Sequence, residues 1–392
     1  MLNIGIDIAS KKHDCCIIGA NGEILAPIFT FKNDSAGYDI LLKTIRGLCR
    51  DFTKVKVGLE STGHYGDNLI SFLRAKGFEL VIFNPLQVDL YRKSGTLRKT
   101  KTDKADARFI AQMLLSTENS PSVPVKSEIV ELKALIRHRG RMKAMRSKLR
   151  MSVSRLITVL FPELPDAVWS IHQASSYAML LELSTAKAIA DCHLTKLSNL
   201  IEMASRGKYG KDKALQIKAL AAKSVGRDSS AIGFELQQTI RLINNIGDEL
   251  KVLDGQIRQL MVQVDSPILS IPGISYNLGS IILAEIGNVE NFPSPSKLLA
   301  FAGMEPSTHQ SGKYTAANPS MVKRGSKHLR WAIMQAARLA AIHDPTFAAY
   351  SQKKLAEGKH YYVAQSHVGK KLLRVIFHLL KNNQEFIPTA AA

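Results

Sequence analysis

Apolar and polar positions run in short, strand-like segments over much of the first eighty residues, and at three- and four-residue spacing through most of the remaining chain. Residues 2–9, 13–20 and 23–31 read as three short strands, and Asn21-Gly22 is a hairpin signal between the second and third. Residues 35–50 read as a helix, with apolar residues at 38, 41, 42, 45 and 48 and Ser35 as its candidate N-cap. A strand at 54–59 comes next, then a helix over roughly 65–76 that Gly77 stops. Leu80-Val81-Ile82-Phe83 is a fifth strand, ending before Asn84-Pro85. A helix from about 103 to 116 closes this part of the chain.

Three strands in hairpin order, then alternating helix and strand, predict an α/β domain with a mixed sheet over residues 1–120. That is the order of an RNase H-like domain. Residues 128–161 read as one long helix with an imperfect 3/4 apolar spacing at Leu132, Leu135, Met142, Leu149, Val153, Leu156 and Leu160. Pro162 and Pro165 break it, and residues 166–228 are helical in pattern without legible chemistry. A second long helix over 230–265 carries a coiled-coil seam at Ile243, Ile246, Leu250, Leu253, Ile257, Leu260 and Val264. The pattern allows it to fold back on the first long helix or to pair with another protomer. Residues 121–265 thus form a helical, coiled-coil region, and Pro267 and Pro272 mark the start of a mostly helical C-terminal domain, 266–392. Ile271-Pro272-Gly273-Ile274 before Leu278–Gly287 has the form of a helix–hairpin–helix element, which can present backbone N–H groups to a phosphate. A plain αα-hairpin fits the same residues. A polar loop over 307–322 and a basic patch over 323–330 precede the last helices.

Charge sharpens this outline. The 392 residues carry 53 Lys and Arg against 33 Asp and Glu, a net charge of +20, which favours a polyanionic partner. A membrane surface is the competing polyanion, but no apolar run approaches the roughly 20 residues that span a bilayer. Cys15, Cys16, Cys49 and Cys192 have no C-x-x-C spacing, which argues against zinc and disulfide frameworks. With a strand-like N-terminus in place of a signal sequence, a cytoplasmic protein is expected. The segment from Arg137 to Arg155 holds eight Lys or Arg and no acid. It is either a solvated helix face or a track for a nucleic-acid backbone.

Against that basic background four acids stand out. Asp7 interrupts the apolar run Asn3-Ile4-Gly5-Ile6-Asp7-Ile8, where a charge is costly unless paired or metal-bound. An exposed face of an edge strand is the plainer explanation. Glu60 ends the strand Val55–Leu59, beside the polar turn Ser61-Thr62-Gly63-His64-Tyr65. Asp103 and Asp106 share one face of a helical turn, where acids also suit a helix start. Carboxylates suit Mg²⁺, and two ions roughly 3.5–4 Å apart can bind both oxygens of a phosphodiester displacement.

Gly5-Ile6-Asp7-Ile8-Ala9, Glu60-Ser61-Thr62-Gly63, Asn84-Pro85 and Lys101-Thr102-Asp103-Lys104-Ala105-Asp106-Ala107 resemble the DEDD-type transposases of bacterial insertion sequences. The later motifs Ile271–Ile274, Phe301-Ala302-Gly303, Ser311-Gly312 and Lys323-Arg324-Gly325-Ser326-Lys327-His328-Leu329-Arg330 resemble that family's second domain, in the same order. The resemblance implies a RuvC-like N-terminal domain with Asp7, Glu60, Asp103 and Asp106 binding Mg²⁺, as two ions. It implies that Ser311 attacks the DNA backbone, in a composite site formed between protomers of a dimer or tetramer. The family is similar to Piv-type DNA invertases, and some members are guided by a bridge RNA. The partners it implies are therefore DNA, as element ends and target, and a guide RNA. Arg98, Lys99, Lys101, Arg137, Arg139, Arg141, Lys143, Arg146, Lys148, Arg150, Lys323, Arg324, Lys327 and Arg330 are the candidate nucleic-acid contacts. This chain departs from the family in Thr308-His309-Gln310 and Lys313-Tyr314 around the serine, and in a longer region at 166–228. A junction-resolving endonuclease that uses the acids and water is the rival reading, and a non-catalytic binding protein on the same scaffold a third.

Overall fold

The computed structural model describes residues 1–60, 63–95, 102–116, 121–307, 310–311, 314–315 and 320–388, with 310–311 and 314–315 described by backbone alone. The chain divides into two compact units, Met1–Pro124 and Val125–Ala392.

The first unit is built on strands β1 (Leu2–Ile8), β2 (Lys12–Ile18), β3 (Phe29–Lys32), β4 (Val55–Glu60) and β5 (Glu79–Phe83). They form a mixed sheet of order β3-β2-β1-β4-β5. β1, β2 and β3 pair antiparallel, and β4 and β5 add to β1 in parallel. The predicted hairpin turn is present, with Leu25 N–H bonded to Ile17 O at 3.0 Å. The third strand is shorter than the expected 23–31, however. Pro27 lies inside that span and has no N–H to donate to a ladder, and regular pairing begins only at Phe29. Helix α1 (Ser35–Leu48) is capped by Asp34, whose carboxylate accepts from Gly37 N–H at 2.8 Å, and not by Ser35. Helix α2 (Asp67–Ala75) leads to β5. Helix α3 (Pro85–Gly95) is an addition to the predicted elements: Asn84-Pro85 starts a helix, with the Asn84 side-chain oxygen accepting from Leu86 N–H at 2.9 Å.

Side chains alternate across the sheet. Ile4, Ile6, Val57, Leu59 and Leu80 face α1 and α2 in one buried core, with Leu41, Leu69 and Leu73. Gly5, Asp7, Asp14, Cys16, Gly58 and Glu60 occupy the alternate positions, which face helix α4 (Asp103–Ser116). Gly5 and Gly58 are register partners in β1 and β4. A Cβ on Gly5 would stand 2.1 Å from Ala107 O and 2.3 Å from Ala111 N, so α4 rides directly on the strand backbone. Val81, Phe83, Ile110 and Leu114 close the same face.

The second unit is helical. Helices α5 (Ser127–Leu160) and α11 (Ser230–Val264) pack antiparallel within the chain, with Arg139 facing Asp254 and Arg155 facing Glu235. Of the expected seam on α11, Ile243, Leu250, Leu253 and Ile257 are buried; Ile246, Leu260 and Val264 are half-buried, and Met261 is buried as well. The pair joins two cores. One end holds α6 (Leu164–Ala167), α7 (Ala174–Glu182), α8 (Ala186–Asp191), α9 (Leu194–Ser205) and α10 (Lys211–Ala222) around Val153, Leu156, Leu160, Leu236 and Ile240. The other holds α12 (Tyr276–Ile286), α13 (Pro295–Phe301), α14 (Lys327–His343), α15 (Pro345–Ala356) and α16 (Tyr361–Asn382) around Ile129, Leu132, Ile257 and Met261. In the anticipated helix–hairpin–helix element, a short 3-10 turn, Pro267–Ser270, precedes Ile271–Ile274, and α12 (Tyr276–Ile286) follows. The polar loop contains two short strands, β6 (Gln310–Ser311) and β7 (Tyr314–Thr315), and at its base Ser307 N–H bonds Ser320 O at 2.7 Å. Among the described residues no helix is long and apolar enough to cross a membrane, and all four cysteines are free.

Candidate acid site and nucleic-acid interface

β1 and β4 run parallel and in register through Ile6 and Leu59, so Asp7 and Glu60 come next at the same level on the face that α4 covers. The close approach at Gly5 fixes Ala107 over the sheet, and Asp103 and Asp106 lie in the helical turn just before it. Period two in the strands and the glycine contact thus carry four acids toward one place. Electrostatics report the result. Burial first, then the carboxylates of Asp106, Asp103, Glu60 and Asp14, push the Asp7 carboxyl up from 3.8 to about 7.

Asp14 is the acid that sequence reasoning passed over. It is buried in β2 as the register partner of Asp7, and it accepts a hydrogen bond from the Thr30 hydroxyl. Counting outward from the Ser10-Lys11 turn pairs it with Asp7 and could have found it. Asp106 is buried too, and the Arg92 guanidinium on α3 lies 3.5 Å from it while also pairing with Asp89 at 2.5 Å. Among the described residues no three acids, imidazoles or thiols stand close enough together to form a ready-made metal cage. The donor chemistry nevertheless suits a hard divalent cation: oxygen ligands only, mutually repelling, on a partly buried floor.

The candidate nucleic-acid contacts fall into three groups. Arg98, Lys99 and Lys101 lie outside the described residues. Arg139 is buried and held by Asp254 at 2.5 Å and by the Asn277 amide oxygen at 3.1 Å; Arg137 lies 2.8 Å from the buried Glu285. Arg330 donates to the carbonyls of Ala302 and Lys323 at 3.0 and 3.1 Å. These three guanidiniums are engaged by the fold itself. Arg141, Lys143, Arg146 and Lys148, by contrast, have no acid within ion-pair distance among the described residues, and Arg150 leans on Tyr177. They occupy the bridge of α5 between the two cores, where residues 140–152 include none that is buried. Lys323, Arg324 and Lys327 are exposed at the start of α14. Their loop is tightly set: a Cβ on Gly303 would meet Arg324 O at 2.2 Å, and one on Gly325 would meet Phe301 O at 2.1 Å. Ser311 is the last residue of β6, paired with Tyr314; its side chain lies outside the described residues.

Residues 4–162 match the IS110-type DEDD transposase family, and residues 265–352 match the transposase family of IS116, IS110 and IS902. The chain belongs to this transposase family. Relatives extend the match over the whole length. A 44.8 kDa protein of insertion element IS116 from Streptomyces clavuligerus is 24% identical, over 98% of this chain and 96% of its own. The mini-circle putative transposase for IS117 from Streptomyces coelicolor is 25% identical, over 97% and 94%. The pilin gene-inverting protein of Moraxella bovis is 25% identical, over 98% and 97%. The unmatched stretch between the two transposase domains, 163–264, holds helices α6 to α10 and all of α11.

Proposed function

We propose that this transposase-family protein is a DNA recombinase that moves its own insertion sequence. In this reading Asp7, Glu60, Asp103 and Asp106 hold Mg²⁺ on an RNase H-like, RuvC-like domain, and Ser311 of the second domain is the nucleophile. The observation that carries it is the partly buried Asp7, whose carboxyl is raised to about 7 by burial first and then by the carboxylates of Asp106, Asp103 and Glu60, in a chain of net charge +20. The strand order β3-β2-β1-β4-β5 supports the RNase H-like assignment.

Bound there, Mg²⁺ would supply Lewis-acid stabilisation of charge on the phosphodiester oxygens. Asp7 and Glu60, on rigid parallel strands, give the site a fixed floor, and Asp103 and Asp106 close it from the first turn of α4. Arg92 holds Asp106 in place from α3. Asp106 is buried and Asp7 and Glu60 are half-buried, which strengthens their hold on a cation, while Asp103 is exposed at the rim. The Ser311 hydroxyl attacks phosphorus and the O–P bond to the leaving strand breaks, giving a phosphoserine link and a free hydroxyl end. Reversal by a second strand's hydroxyl rejoins the DNA and frees the serine. The exposed cations of α5 and of the 323–327 loop bind the sugar-phosphate backbone of DNA and of a guide RNA, and exchange of two ends requires an oligomer.

The test is a denaturation-resistant protein–DNA adduct formed by the full chain, with its copurifying nucleic acid, on element-end DNA in Mg²⁺. An adduct is expected in the wild type and none in Ser311→Ala. Cleavage without an adduct would favour the junction-resolving endonuclease instead.

A further inference from the structure

A cleft of about 500 Å³ opens beside the bridge of α5 in the second unit. Its lining includes Ile136, Arg141 and Lys143 on α5, Ile281 on α12, and His328 and Trp331 on α14. The volume falls in the range of about 300–1,000 Å³ usual for small-ligand sites. Trp331 is 53% exposed, so part of its indole face is open to a ligand in the cleft. His328 and Trp331 are three residues apart on one helix face, so the imidazole and the indole present side by side. Gly140 and Ala144 also line the cleft, and a Cβ on Gly140 would meet nothing within 4 Å. Small residues on this side of α5 therefore keep the space open.

The acids beside the cleft are already paired. Glu285 is engaged by Arg137 and by the Ser326 hydroxyl at 2.6 Å, and Asp254 by Arg139. Arg141 and Lys143 remain without an acid within ion-pair distance among the described residues. Burial and then the Arg139 guanidinium lower Lys143, and burial and then Arg137 lower His328. Burial thus dominates both shifts, and the neighbouring guanidiniums add to it.

We propose that this cleft takes one unpaired nucleotide of a bound strand, its base against the Trp331 indole and its phosphate against Arg141 and Lys143. Aromatic stacking needs a base freed from a duplex, and the basic side chains track the backbone on either side. Binding of this kind tolerates any base, because every base has a π-face. The inference rests on the nucleic-acid reading above and deepens it. The strand comes from opened DNA or from a guide RNA, which offer the same base and phosphate.

The chain has 2 Trp, so Trp169→Phe leaves Trp331 as the sole indole reporter. The full-length protein in that background is titrated with a short mixed-sequence single strand, as DNA and as RNA, and with the matching duplex. Single strands should quench the Trp331 emission, and the stronger of the two names the source. Trp331→Ala should weaken single-strand binding about 5- to 100-fold, with Trp331→Phe restoring most of it and duplex binding little changed. Ala144→Phe, which fills the cleft without altering charge, should act like Trp331→Ala. Unchanged single-strand affinity in both variants, with unquenched Trp331, would overturn the cleft and leave the nucleic-acid reading standing. A parent protein that binds no nucleic acid at all would overturn both.

Discussion

In the first unit, strand register and a helix seated on glycine bring acids to the same face of the sheet, and burial together with the neighbouring carboxylates raises Asp7 to about 7. In the second unit the eight Lys and Arg between Arg137 and Arg155 are spread along one helix, and the fold neutralises part of them. Arg139 meets Asp254, Arg137 meets Glu285 and Arg155 meets Glu235. A charge cluster that the fold gathers and leaves strained against itself points to a cation as its ligand. A charge run matched by distant acids is partly architecture, and only its unmatched members, Arg141 to Lys148, remain for a ligand.

That contrast is most exposed to attack at Gly5. Gly5→Val places a side chain into the Ala107 carbonyl and the Ala111 amide, and should cost about 3 kcal/mol or more in a denaturant melt, since the obstacle is backbone. Gly47→Ala, where a Cβ meets nothing within 4 Å, should instead be neutral or stabilising by up to about 1 kcal/mol. Equal effects at the two glycines would mean that α4 does not sit on β1 as described.

Arg139 and Arg141 separate architecture from ligand binding. Arg139→Ala should destabilise by about 1–3 kcal/mol, because it removes a buried guanidinium from Asp254 and Asn277; Asp254 is partly exposed, which keeps the figure below that of a fully buried pair. Arg141→Ala should leave stability within about 0.5 kcal/mol and reduce the slope of log affinity for DNA against log salt by about one. A swap of these two outcomes would reverse the division between engaged and available cations.

The smallest effect concerns pH. The folded value of Asp7, about 7, lies above its ordinary 3.8, so the folded chain holds this proton more tightly than the unfolded one. Its contribution to stability is full below about pH 4 and is lost as pH rises toward and through 7. In metal-free buffer the loss should be about 1–2 kcal/mol after solvent screening, and Asp7→Asn should abolish it. A wild type and variant with parallel pH profiles would show that Asp7 is not crowded by its neighbours.

Much of the first unit was legible in the sequence because strand alternation and a helix start are local signals. Asp7, Glu60, Asp103 and Asp106 could be named from their places in such runs. Asn84-Pro85 does end the fifth strand as read, but the helix that Pro85 starts was missed, although Pro is at home in a first helical turn. Asp34 took the capping role expected of Ser35, a choice one residue wide that only backbone geometry decides. The partners of Arg139 and Arg137 were illegible, since Asp254 and Glu285 lie more than a hundred residues away and meet them only through helix packing. Trp331 carried no sequence signal for the same reason: its cleft is lined by three helices distant along the chain.

The metal site can be tested through the melting temperature of the full chain at pH 8 as Mg²⁺ replaces EDTA, for wild type and Asp7→Asn. If the four acids hold the ion, Mg²⁺ raises the wild type, by about 2.7 kcal/mol of stability at a hundredfold excess over the dissociation constant. Asp7→Asn should then start higher in EDTA and gain little from the ion. A wild type indifferent to Mg²⁺, or a variant that gains as much, would contradict the assignment of the four acids as a metal site.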